Sequence, residues 1–102
     1  LDAVTFYLKN LKVPQTKQDK AYKDGLSIFR QLSCASCHIP TFTLNNEKVI
    51  HPFSDLLLHD MGKDLADGRV EFIATGSEFR TAPLWGISSY KKILKNRVNF
   101  LH

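Results

Sequence analysis

Cys34-Ala35-Ser36-Cys37-His38 is the stretch on which the reading of this chain turns. Two thiols three positions apart, followed at once by an imidazole, fit covalent attachment of a c-type haem. The thiols can reach the two vinyl groups on one porphyrin edge and form thioethers. The next residue then lies under the ring, where an imidazole nitrogen can bind iron, and histidine is a usual proximal ligand. Cys34 and Cys37 are therefore the candidate attachment points of one covalent haem c, and His38 is the candidate proximal iron ligand.

Other uses of the motif fit less well. A zinc site takes about four protein ligands, usually from two paired motifs. This chain has two cysteines and no second C-x-x-C. A thioredoxin-like C-x-x-C belongs in a βαβ setting, and no such alternation is visible. Zinc, a disulfide and coincidence rank behind haem.

Length and charge narrow the class. At 102 residues the chain is one domain or part of one. A chain this short buries a modest core, to which a haem would add a large apolar plate. No run of about 18 apolar residues is present, so no membrane span is expected. No signal peptide is visible. Haem attachment to this motif normally happens outside the cytoplasm, so the expected location is periplasmic or otherwise extracytoplasmic. The opening Leu1-Asp2-Ala3-Val4, without an initiator methionine, reads as a mature product or a fragment.

The formal charge is +4, from 14 Lys and Arg against 10 Asp and Glu. Lysines at 9, 12, 17, 20 and 23 crowd the first quarter, and Lys91, Lys92, Lys95 and Arg97 crowd the end. A solvated helix face accounts for such a pattern. A docking surface for an acidic redox partner would use the same charge. Nucleic-acid binding would need more charge and a recognisable module.

Outward from the motif, Leu1, Val4, Leu8 and Leu11 follow helical spacing, which predicts a helix stopped by Pro14. Residues 12–18 read as a polar linker, so the expected division is 1–18 as helix and linker and 19–102 as the haem domain. Asp19 is a good N-cap for a second helix, with Tyr22, Leu26, Phe29 and Leu32 as its apolar stripe. Gly25 within that stripe costs about 1 kcal/mol against alanine, which points to close approach by another helix. After His38 the pattern loosens. Thr41 to Leu44 and Lys48 to Ile50 flank Asn45-Asn46, a plausible hairpin turn. A short helix is expected from about Ser88 to Lys95. The expected fold class is all-α, with long loops and room for that one short β-hairpin.

Four motifs in order carry a family resemblance: Gly25-Leu26-x-x-Phe29 leading into the Cys34–His38 stretch; His51-Pro52-Phe53-Ser54-Asp55-Leu56-Leu57-Leu58-His59-Asp60-Met61-Gly62; Leu65-Ala66-Asp67-Gly68-Arg69; and Phe79-Arg80-Thr81-Ala82-Pro83-Leu84-Trp85-Gly86. The first is similar to the opening core helix of class I cytochromes c. Together they closely resemble the di-haem oxidoreductases, also called thiol oxidoreductases, which are relatives of the bacterial di-haem cytochrome c peroxidases and MauG. The resemblance runs from Val4 onward. It implies a cytochrome c-like haem domain, most of the C-terminal one of two, with Phe29 packed near the haem. It also implies a further helix beyond His102 that packs on the first core helix and, in the peroxidases, carries the distal ligand. On that reading the chain lacks its final core helix. The peroxidases bind calcium through a Thr-x-Pro that Arg97-Val98-Asn99 does not match, so calcium is not expected.

The distal ligand has several candidates. Electron-transfer haems usually take Met or His as sixth ligand, and this chain offers Met61, His51, His59 and His102. The residues alone nominate Met61. The resemblance instead places Met61 at an aliphatic position, a packing role usual for a lone methionine. Arg80 could pair with a haem propionate or sit on the surface. Trp85 could line the haem edge or fill the core. The function expected is electron transfer through one covalent haem, with a redox protein or a second haem domain as partner. The parent would be an oxidoreductase and this chain its electron-transfer domain. The rivals are a fragment of a di-haem peroxidase or sulfur-compound oxidoreductase whose catalytic haem lies elsewhere, and a haem-free binding module.

Overall fold

A computed structural model describes residues 1–13 and 15–94. Pro14, the helix end at Lys95, the basic Arg97, the 97–99 stretch and His102 lie outside them. Helix α1 spans Asp2–Lys9 and helix α2 spans Lys20–Gln31. Asp19 caps α2, its carboxylate accepting the Tyr22 N–H at 3.0 Å. A 3-10 turn at Cys34–Ser36 follows directly. Strands β1 (Phe42–Thr43) and β2 (Val49–Ile50) pair antiparallel. Their turn is closed by Glu47 N–H to Leu44 O (2.9 Å), and the Asn46 carboxamide accepts the Lys48 N–H at 3.2 Å. Strands β3 (Leu58–Asp60) and β4 (Glu78–Arg80) form a second antiparallel pair, with His59 opposite Phe79. A 3-10 turn at Ile87–Ser89 runs into the short helix α3, Tyr90–Ile93.

The expected all-α class is therefore wrong. Among the described residues, two helices of two turns or more are followed by two small two-stranded sheets. The physical reason lies past His38. Pro40, Pro52 and Pro83 and the glycines of 62–76 cut the chain into pieces too short for helix propagation. Short extended pieces can still pair, because each takes its hydrogen bonds from a neighbour. In β3–β4 the acidic Asp60 and Glu78 face each other. Each carboxylate turns to local donors instead: Gly62 N–H for Asp60 (2.9 Å), and Thr75 N–H (2.7 Å) and its hydroxyl (3.0 Å) for Glu78.

No hydrophobic side chain among the described residues is fully buried; the enclosed positions are Pro52, Ser54 and Thr81. On α2, Tyr22, Leu26 and Phe29 are half-buried, while Leu32 is exposed. A Cβ added at Gly25 would meet nothing within 4 Å, so the expected close approach is not made by any described residue. Gly76 is the glycine under constraint, since its Cβ would lie 2.8 Å from the Gly68 Cα. No described helix is long and apolar enough to cross a membrane.

Candidate functional site

Three stretches far apart in sequence meet at the Cys34–His38 loop. Ser54 is fully buried at their junction. Its N–H donates to Ile39 O (3.1 Å), its hydroxyl donates to Thr81 O (2.6 Å), and its Oγ accepts from Leu56 N–H (2.9 Å). Asp55 N–H donates to Cys37 O, and Thr81 N–H to Leu57 O, both at 2.9 Å. Leu84 N–H donates to Pro52 O at 2.9 Å. The segments 37–39, 52–57 and 81–84 are thus laced by hydrogen bonds that few other contacts could replace, because a buried polar group left unpaired costs about 1–3 kcal/mol.

The lacing orients His38. Its Nδ1 lies 2.8 Å from Phe53 O. A carbonyl only accepts, so Nδ1 carries the proton and donates, which puts the lone pair on Nε2. A backbone carbonyl on one ring nitrogen is the usual device that fixes the tautomer of a metal-binding histidine. Phe53 serves this role at φ 54°, a left-handed conformation unusual for a bulky residue. The Phe29 ring sits against both His38 (centroids 6.3 Å) and Phe53 (5.6 Å), and Tyr22 meets Phe53 edge-on at 6.4 Å. All three contacts are T-shaped, the favoured geometry for aromatic pairs.

A second group lies on the cysteine side. Ligand atoms of Cys37, Asp55 and His59 lie within 4.8 Å of one another. His59 Nε2 meets Asp55 Oδ2 at 2.7 Å. Burial pushes the Asp55 carboxyl up, but hydrogen bonds from Leu57 N–H, His59 and Thr81, with the charge of His59, outweigh it and hold it at about 2. Asp60 is also held below its ordinary value, by hydrogen bonds from Gly62 N–H and the Ser77 side chain against a smaller effect of burial. Thiolate, carboxylate and imidazole together could hold a divalent metal of the zinc type. That use competes with thioether formation at Cys37.

The structure brings Phe29 to His38, beside the two cysteines of the same loop. Trp85 is half-buried and lines a cavity of about 300 Å³ with Phe29, Phe53, Tyr22 and Leu84. Arg80 is exposed at the end of β4, opposite Leu58. Met61 is half-buried just past β3, with its N–H on Ser77 O at 2.9 Å. His51 has both ring nitrogens engaged, Nδ1 with the Thr41 hydroxyl and Nε2 with the Gln18 amide, each at 3.2 Å. Sequence reasoning missed Phe53, Ser54 and Asp55 as site residues. The i, i+4 spacing of Asp55 and His59 was a usable signal for that pair; nothing local announces that Phe53 O would face His38.

A tautomer-fixed imidazole directly after two thiols, resting on an aromatic shelf, is a site suited to a haem iron. The chain's sequence matches the family described as di-haem oxidoreductase, putative peroxidase, over residues 1–102; the chain belongs to that family, and so to the oxidoreductases. Neither a curated protein nor a solved structure matches it.

Proposed function

We propose that this chain is an electron-transfer domain carrying one covalent haem c on Cys34 and Cys37, with His38 as the proximal iron ligand. The observation that carries this reading is the 2.8 Å contact of His38 Nδ1 with Phe53 O inside the Cys-x-x-Cys-His loop. The bound haem would exchange one electron between its ferric and ferrous states. The chain's own residues orient the ligand: Phe53 O holds the tautomer, the Phe29 ring limits rotation of the imidazole, and Ser54 and Asp55 fix the loop that carries it. Half-exposed apolar side chains on α2 and at Leu84 and Trp85 offer surface to a large flat ligand or to a neighbouring domain. The partner is a second haem domain or a redox protein, and the location is extracytoplasmic, where thioether formation takes place.

We assign Met61 to packing, away from iron. It follows β3 and donates its N–H to Ser77 O, which supports a packing role beside the second sheet. Met61→Leu, which roughly conserves volume, should leave the visible spectrum unchanged. A far-red ferric charge-transfer band that disappears in this variant would make Met61 the ligand.

The deciding experiment is the intact mass and visible spectrum of the chain matured in a haem-attaching host. The expected mass is that of the chain plus one haem, retained after acid–acetone extraction. His38→Ala should keep the thioethers and shift the Soret band, and an unchanged spectrum would remove His38 as the proximal ligand. An unmodified mass with bound zinc would favour instead the metal use of Cys37, Asp55 and His59.

A further inference from the structure

A cavity of about 520 Å³ lies between residues 11–13 and 15–18, β2 and Trp85, outside the Cys34–His38 loop. That volume is in the range of about 300–1,000 Å³ found for small-molecule sites. Lys12 and Lys48 are among its lining residues, and no carboxylate is among the described ones. Among the described residues neither lysine forms an ion pair. The rest of the lining is mixed, with Leu11, Val49, Ile50 and Trp85 apolar and Thr16 and Gln18 polar. His51 also lines it, and its contacts with the Gln18 amide and the Thr41 hydroxyl tie Gln18 to the residue just before β1. Two lysines without a carboxylate, sharing a lining with apolar residues, favour a ligand with one anionic head and an aromatic or aliphatic body. The anion would take charge-assisted hydrogen bonds from the ammonium groups, and the body would leave water against Trp85.

We propose that this cavity is a binding site for a small organic carboxylate. None of its lining residues belongs to the attachment loop; it shares Trp85 with the cavity beside Phe29 and Phe53, so the proposal requires that the haem leave this side of Trp85 open. Trp85 is the only tryptophan of the chain, so its indole N–H gives a single resonance that reports occupancy of this one place.

The test is calorimetric titration of the haem-loaded chain with phenylbutanoate, followed in parallel by the Trp85 indole resonance. Phenylbutanamide and phenylbutylamine, with the same body and no negative charge, are the controls. The carboxylate should bind about tenfold more tightly than the amide, shift the Trp85 signal, and weaken as salt is raised. Lys12→Ala with Lys48→Ala should reduce its affinity about tenfold, whereas Lys9→Ala with Lys23→Ala should leave it unchanged. Equal binding of acid and amide, an unmoved Trp85 resonance, retained affinity in the Lys12/Lys48 variant, or no binding of the carboxylate would each overturn the proposal.

Discussion

The junction around Ser54 and the loop from Gly62 to Gly76 are ordered by different means. At the junction, hydrogen bonds of 2.6–3.1 Å join segments 37–39, 52–57 and 81–84, which are distant in sequence. In the loop most bonds join near neighbours: Leu65 N–H to Gly62 O, Arg69 N–H to the Asp67 carboxylate, and the reciprocal pair of Glu71 and Ala74. Phe72 and Ile73 at its tip are 96% and 97% exposed, while Ser54 is 0% exposed. The lesson is that in a chain with no enclosed apolar cluster among its described residues, tertiary order near the candidate site rests on long-range polar bonds. Substitutions at the junction should therefore cost far more than substitutions at the tip.

The sharpest way to break this comparison is Ser54→Ala. It removes a donor from Thr81 O and an acceptor from Leu56 N–H. The expected loss is about 1–3 kcal/mol, read by denaturant unfolding. A loss no greater than that of a tip variant would show that the two regions do not differ. Asp55→Asn comes next and has a pH signature. The native carboxyl is held near 2, below its ordinary 3.8. Its stabilising contribution is therefore fully present above about pH 4 and is lost as pH falls through 2. Thermal unfolding across pH 2–5 should show a shallower acid limb in the variant, and an identical limb would remove Asp55 from the account.

Asp19→Ala tests a purely local element outside both regions. It deletes the cap on Tyr22 N–H and should cost about 1 kcal/mol, visible as an earlier thermal transition of the helical circular dichroism signal. The smallest effect belongs to Phe72→Asn. Phe72 sits at φ 54° with its ring in water, and asparagine tolerates that conformation better. Stability should change by no more than about 0.5 kcal/mol, with any change favouring the variant. A large loss would mean that the tip packs on something.

Local chemistry was legible without coordinates. Asp19 as a cap, the course of α2, the turn at Asn45-Asn46 and the Cys34–His38 motif each depend on residues within a few positions of one another, so composition and spacing suffice to find them. Membership of the family is likewise carried by motifs that can be read in order along the chain. Past His38 the reading was weaker. Leu58–Asp60 and Glu78–Arg80 are three residues each, too short to show a period, and each becomes a strand only because the other lies beside it.

By itself the sequence determined which atoms are available for chemistry here: two thiols, an adjacent imidazole, and an aromatic at Phe29 on the helix before them. Only the tertiary structure decided that Phe53 O meets the His38 ring, that Ser54 holds three segments together, and that Asp55 and His59 gather at Cys37. The reason is physical. Spacing along the chain dictates contacts within a turn or two, whereas these contacts close long loops and exist only when many bonds form at once.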